Sequence, residues 1–208
     1  MIKAIKTYYI KIILLGEAGV GKSNLINAYF DNAFNVTQQS TSTPNQSFKT
    51  IQINNKKLNI SIWDTMGQEI YRSLTRSFIL GSHIVLLVYD ITRRETFLEL
   101  NYWANVTKEL LGNEKIIFGV SANKIDLFEI SEVEKNEGKE FAQKIGGLFE
   151  ETSGKADPKG FKDFIQKLLE KMLKNKNICE IIEQTSQNES NFLLEGNTTR
   201  KNKKCCLQ

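Results

Sequence analysis

The chain has 208 residues, 40% hydrophobic and 25% charged, with 28 Lys+Arg against 24 Asp+Glu and one His. That balance fits a folded domain plus a tail, able to bury roughly 70% of its unfolded surface, and it excludes a fibrous or disordered chain. No apolar run approaches the 18 or so residues of a membrane-crossing helix, and three Cys, two of them adjacent, form no disulfide framework and point to a reducing compartment.

The start, Met1 to Leu15, is basic and then apolar, but it runs into a Gly-rich loop rather than the small-residue cleavage site of a secretion signal. Lys11 to Leu15 reads as a buried strand stopped by Gly16. The next eight residues, Gly16-Glu-Ala18-Gly19-Val20-Gly21-Lys22-Ser23, fit G-x-x-x-x-G-K-[ST], with a helix expected from about Lys22. In that setting glycines let successive N–H groups and the helix N-terminus face phosphate oxygens. Lys22 is suited to the β- and γ-phosphates, and the Ser23 hydroxyl to one Mg²⁺ position. A turn with a solvated lysine is the plain alternative, and it leaves the strand–loop–helix context unexplained.

Phe48 to Ile53 and Leu58 to Trp63 alternate apolar and polar residues around Asn54-Asn55, a hairpin signal. Asp64, at the end of the second of these strands, can join a Mg²⁺ shell. In Trp63-Asp64-Thr65-Met66-Gly67-Gln68, the Gly67 N–H can serve the γ-phosphate and Gln68 can orient an attacking water. His83 to Tyr89 is another buried strand. His83 stands at its start with no metal role. Thr92-Arg-Arg-Glu95 has capping-box spacing and predicts a helix with Phe97, Leu100, Ala104 and Leu111 on one face.

Ile116 to Val120 predicts a strand, and Asn123-Lys124-Ile-Asp126 follows at its C-terminal edge, where ligands of open α/β sheets lie. A carboxylate there can accept two N–H bonds from guanine's edge, whereas adenine would leave Asp126 unpaired. Ser131-Glu-Val-Glu134 predicts a cap for a helix that stops at Gly146-Gly147. Asp157-Pro158 starts the last helix, whose stripe of Phe161, Phe164, Ile165, Leu168, Leu169 and Met172 reads as core. Strands alternating with helices imply an α/β fold with a largely parallel sheet and one antiparallel member. The periodicity fades after Lys174, so residues 1–174 are expected to form the domain and 175–208 a flexible tail.

The phosphate loop, Asp64-Thr65-Met66-Gly67-Gln68 and Asn123-Lys124-Ile-Asp126, in this order, resemble the Ras superfamily of small GTPases. Tyr71-Arg-Ser-Leu-Thr75, Leu87-Val-Tyr-Asp-Ile-Thr92 and the Cys205-Cys206 ending resemble its Rab family. The resemblance implies a P-loop G domain: a six-stranded, mostly parallel sheet with one antiparallel strand and helices on both faces. It also implies GTP and GDP as ligands with Mg²⁺, and slow hydrolysis with Gln68 as the catalytic residue. The nucleotide-binding residues it implies are Gly16, Ala18, Gly19, Val20, Gly21, Lys22, Ser23, Asn24, Phe34, Thr41, Gly67, Asn123, Lys124, Asp126, Ser153, Gly154 and Lys155, the last three from Glu151-Thr152-Ser153-Gly154-Lys155, the second base loop. The implied metal positions are Ser23, Thr41 and Asp64.

An ungapped count from Ser23 selects Thr41 as the threonine of the first switch; a shift of two residues would choose Thr43 and align Phe48 with the family's phenylalanine. Thr41 is preferred because it keeps the hairpin and Trp63 in register. Ser42-Thr43-Pro44 departs from the family pattern after that threonine, Met66 stands where Ala is usual, and Gly154 stands where the second base loop usually has Ala.

The last thirteen residues, 196–208, hold Arg200, Lys201, Lys203 and Lys204 and no acid, so they account for the whole net charge of +4. The body of the chain is therefore near neutral, which argues against nucleic acid as a partner. Cys205 to Gln208 matches a prenylation box; X = Gln by itself indicates farnesyl on Cys205, whereas the resemblance implies geranylgeranyl on both Cys205 and Cys206. Two lipid chains beside a basic segment would anchor stably on an anionic leaflet. The expected partners are a guanine-nucleotide exchange factor, a GTPase-activating protein, effectors and GDI-type prenyl-binding chaperones. The expected state is a monomer on the cytoplasmic face of an intracellular membrane, with a cytosolic pool, acting in vesicle traffic. Two other functions stand beside this one: a GTP-binding scaffold that does not hydrolyse, prompted by Met66 and the rewritten first switch, and a P-loop kinase preferring ATP, which Asp126 opposes.

Overall fold

A computed structural model describes residues 7–31, 45–65, 72–112, 116–180 and 182, with the backbone alone for residues 72–75. In chain order it has β1 (Thr7–Leu15), α1 (Lys22–Tyr29), β2 (Asn45–Ile53), β3 (Lys56–Asp64), α2 (Arg72–Ile79), β4 (Ile84–Asp90), α3 (Arg94–Leu98), α4 (Leu100–Leu111), β5 (Ile117–Asn123), a 3₁₀ turn (Ile125–Ile130), α5 (Lys135–Lys144), β6 (Leu148–Thr152) and α6 (Pro158–Lys174). The six strands lie in the order β2-β3-β1-β4-β5-β6. All neighbours are parallel except the β2–β3 hairpin, which turns at Asn54 and Asn55, both at positive φ. The expected α/β architecture is the one observed.

Helices cover both faces because the central strands are apolar on both sides, as buried parallel strands are. On one face Ile12, Leu14, Leu86 and Val88 pack against Leu25 and Tyr29 of α1 and the stripe from Phe161 to Met172 of α6. On the other, Ile13, Leu15, Leu87 and Val120 pack against Leu100, Trp103 and Phe141. The six α6 residues expected in the core are fully buried. β1 begins earlier than its apolar run predicts, because Tyr8 and Ile10 point inward while Tyr9 and Lys11 alternate outward.

Two expected capping boxes are corrected. Thr92 does not cap α3: its hydroxyl donates to Asp90 Oδ1 at 2.7 Å, and Arg93 is the residue before the helix. The predicted single helix is also broken at Glu99 into α3 and α4, although Phe97, Leu100, Ala104 and Leu111 do share one cluster. Ser131 likewise does not cap α5; its hydroxyl donates to the Val133 carbonyl at 2.9 Å. The box that forms there is Glu134 with Glu137, three residues later. In both cases a hydroxyl found a nearer acceptor in the turn, the competition that makes Ser and Thr ambiguous outside helices. Asp157 does cap α6, accepting from the Gly160 N–H at 2.9 Å with Pro158 in the first turn. Beyond Lys174 a further helical turn over 176–180 follows, and Ile178 and Ile182 are buried in the α6 cluster, so packed residues continue as far as Ile182.

Candidate functional site

Parallel pairing brings the C-terminal ends of the strands to one edge of the sheet. Leu14 is level with Asp64, Asp90 with Asn123, and Asn123 with Thr152. The loops that leave these ends carry the predicted motifs, so residues far apart in sequence converge.

In the phosphate loop, backbone shape dictates the residues. Gly16, Gly19 and Gly21 have φ of 148°, 74° and 95°. A Cβ on Gly16 would lie 2.1 Å from the Val88 carbonyl oxygen, and one on Gly21 would lie 2.4 Å from Asn123 Nδ2. α1 then opens with no side-chain cap and no acid in its first turn. A helix N-terminus with no carboxylate in its first turn suits an anion. Lys22 is buried, and its Nζ donates to the carbonyls of Gly16 at 2.8 Å and Glu17 at 3.0 Å. Burial pulls its ammonium down to about 8; Asp64 and Glu17 oppose that drop and Arg93 adds to it.

Ser23 Oγ donates to Asp64 Oδ2 at 2.5 Å, joining the loop to the end of β3. These are hard oxygen donors of the kind Mg²⁺ takes together with phosphate oxygens. Among the described residues no group of three or more His, Cys, Asp or Glu could hold a metal ion. Ser23 and Asp64 together fit a cation that is bound partly through a phosphate ligand. Thr65 Oγ1 donates to the Leu14 carbonyl at 2.6 Å and holds β3 beside the loop.

The base motif is tied to the phosphate loop directly. Asn123 Nδ2 donates to the Val20 carbonyl at 2.7 Å, and Asn123 Oδ1 accepts from Thr152 Oγ1 at 3.2 Å. Thr152 also shares a 2.6 Å hydroxyl contact with Ser121. Lys124 adopts a left-handed backbone (φ 68°) and its Nζ meets Asp90 Oδ2 at 2.6 Å. Asp126 Oδ1 accepts from Ser153 Oγ at 2.6 Å, while Ser153 Oγ accepts the N–H groups of Lys155 and Ala156. Ser153 thereby aims the carboxylate. Gly154 sits against the backbone of Asn24 in α1, so the second base loop, the first base motif and the phosphate loop form one connected surface. Ala18 joins it through its carbonyl, which Arg93 contacts.

Phe34, Thr41, Thr43, Met66, Gly67, Gln68, Cys205 and Cys206 lie outside the described residues. His83 has the structural place expected of it. Its Nδ1 accepts the Lys11 N–H at 3.0 Å, and burial first, then Lys11, lowers it to about 4.

Sequence reasoning assigned no site role to Asp90 or Arg93. Asp90 is 1% exposed and accepts from Thr92 N–H, Thr92 Oγ1, Arg93 Nε and Lys124 Nζ. Burial raises its pKa, but Lys124 and Thr92 outweigh that and hold the carboxyl below its ordinary value. The available signal was one acid closing the otherwise apolar strand Ile84–Asp90.

Three comparisons bear on this geometry. The Ras family sequence model matches residues 11–174. The Ras-related protein Rab-18-B of Danio rerio is 37% identical over 171 residues, which cover 82% of this chain and 82% of that protein. The Ras-related protein Rab-11B of Dictyostelium discoideum is 37% identical over 190 residues, 90% of this chain and 86% of that one.

Proposed function

Because the chain belongs to the Ras family of small GTPases, with Rab-named relatives over most of its length, we propose that it is a Rab-type switch. It binds GDP and GTP, hydrolyses GTP slowly, and recruits effectors to an intracellular membrane. The reading is carried by the 2.7 Å bond from Asn123 to the Val20 carbonyl, which joins a base-recognition motif to a phosphate loop in one surface.

In this reading the N–H groups of the loop and of the first turn of α1 bind the phosphates, and Lys22 turns its ammonium from the Gly16 and Glu17 carbonyls to the β- and γ-phosphate oxygens. Asp126, oriented by Ser153, accepts the N1 and 2-amino protons of guanine. Ser23, Asp64 and Thr41 would hold Mg²⁺, which would supply positive charge against the phosphates. Gly67 donates its N–H to the γ-phosphate, and Gln68 orients the attacking water. A guanidinium from an activating protein would supply the remaining charge stabilisation. Phe34 flanks the base.

Cys205 and Cys206 would carry lipid, with Arg200, Lys201, Lys203 and Lys204 beside them on an anionic leaflet. Among the described residues no helix is long and apolar enough to cross a membrane. Exchange factors, activating proteins, effectors and GDI-type chaperones are the partners of this cycle.

The test is to denature the purified full-length protein, identify the nucleotide released, and follow one turnover of added GTP with Mg²⁺. Bound GDP and conversion of GTP over tens of minutes to hours, abolished in Gln68→Leu, is the expected result. Retention of ATP, or of no nucleotide, would overturn the role given to Asp126.

A further inference from the structure

β4 lies between β1, which feeds the phosphate loop, and β5, which feeds the base motif. The turn after Asp90 therefore stands between both loops. Arg93 in that turn engages two acceptors at once: its Nη2 donates to the Ala18 carbonyl at 2.8 Å, and its Nε meets Asp90 Oδ2 at 3.3 Å. The same Oδ2 holds Lys124 Nζ at 2.6 Å. A continuous path thus runs from the phosphate loop to the base motif through Ala18, Arg93, Asp90 and Lys124. Its centre is rigid, since Asp90 is buried, accepts twice from Thr92, and donates its own N–H to Thr96 Oγ1 at 3.0 Å.

A loop containing Gly16, Gly19 and Gly21 has unusual backbone freedom and loses it when it wraps phosphate. A group that holds such a loop in shape beforehand lowers the ordering cost of binding. We propose that Arg93 is a positioning residue for nucleotide retention: it straps the Ala18 carbonyl to the base motif through Asp90 and keeps the phosphate loop in its binding shape. The proposal rests on the guanine-nucleotide reading above. It requires arginine specifically, because the planar guanidinium serves both acceptors together, whereas an ammonium is a point charge on a flexible stem. Arg93 is 39% exposed, so replacing its head group with Lys or Met leaves the core untouched.

The experiment loads full-length protein with fluorescently labelled GDP and chases it with excess GDP, for wild type, Arg93→Lys and Arg93→Met. Both variants are expected to release label about tenfold faster, the low end of what one charge-assisted hydrogen bond supplies. Their affinity for GMP, which has no β-phosphate to engage the loop, should stay within about twofold of wild type on this argument. Wild-type release by Arg93→Lys would mean that charge alone suffices and would overturn the strap, as would wild-type release by both variants. Equal weakening toward GMP and GDP would show general damage and also sink it. Failure of the wild type to retain labelled GDP would instead overturn the nucleotide reading, and the strap with it.

Discussion

Replacing Gly154 with alanine puts the family's usual residue where this chain departs from it, and the structure predicts that the change destabilises. Gly154 has no positive φ to protect, so the backbone accepts alanine, and loss of unfolded-state freedom would by itself contribute about 0.4–1 kcal/mol in favour. The new Cβ, however, would lie 3.1 Å from the carbonyl carbon and oxygen of Asn24 and 3.3 Å from the Leu25 nitrogen. Neither side yields easily. Leu25 is fully buried and its N–H donates to the Gly21 carbonyl at 3.0 Å, while Ser153 is held to Asp126 and bridged to Asp157. Overpacking of this kind costs about 1–3 kcal/mol, so the net is a loss of about 1 kcal/mol. That corresponds to a melting temperature lower by about 2–4 °C for a domain of this size. Pushing on Asn24 also displaces its neighbours Lys22 and Ser23, so GDP should leave several-fold faster. Thermal melts and GDP release on purified Gly154→Ala check both arms. A melting temperature at or above wild type, with unchanged GDP release, would refute the claim that α1 and the second base loop meet too closely for a methyl group.

His83, lowered to about 4 by burial and Lys11, takes up a proton in the unfolded chain near 6.5 but in the folded chain only near 4. Its contribution is therefore fully present above pH 6.5 and is lost as pH falls to 4, by up to about 3 kcal/mol. Urea melts of wild type and His83→Gln across this range should show the wild type losing more stability, and parallel curves would contradict the buried neutral imidazole. Gly21→Ala forces alanine into φ 95° and pushes a methyl group into Asn123 Nδ2. A left-handed backbone and a broken buried hydrogen bond together predict a loss of about 2–4 kcal/mol in denaturant melts and failure to retain GDP. Ser153→Ala removes the donor that aims Asp126. Calorimetry should give GDP binding weaker by about fivefold, the worth of one hydrogen bond, and the melting temperature should fall by about 2–4 °C, because the Lys155 and Ala156 N–H groups lose their acceptor.

Five of the six strands, the hairpin at Asn54-Asn55, the α6 stripe and the Asp157-Pro158 start were legible because each depends on a local pattern: apolar runs, alternation, or one capping side chain; β6 was not, because its half-buried Leu148–Thr152 carries no apolar run. The phosphate loop and the base motif were legible for a related reason. Glycines at positive φ and a lysine at fixed spacing are demands of backbone shape, which short segments carry with them. The starts of α3 and α5 were not legible, since Thr92 and Ser131 have acceptors two residues away in their own turns, Asp90 Oδ1 and the Val133 carbonyl, and capping-box spacing does not say which acceptor a hydroxyl takes.

The linear order of residues determined the family motifs, the class of ligand they suit and the alternation of strands and helices. Only the tertiary structure decided that Asp90 is the buried centre between two loops, that Arg93 reaches the Ala18 carbonyl, and that Gly154 lies against α1. Each of those relations joins residues from different strand ends. Parallel strands bring such ends together through crossover connections, and no periodicity within one segment records which neighbour arrives on the other side.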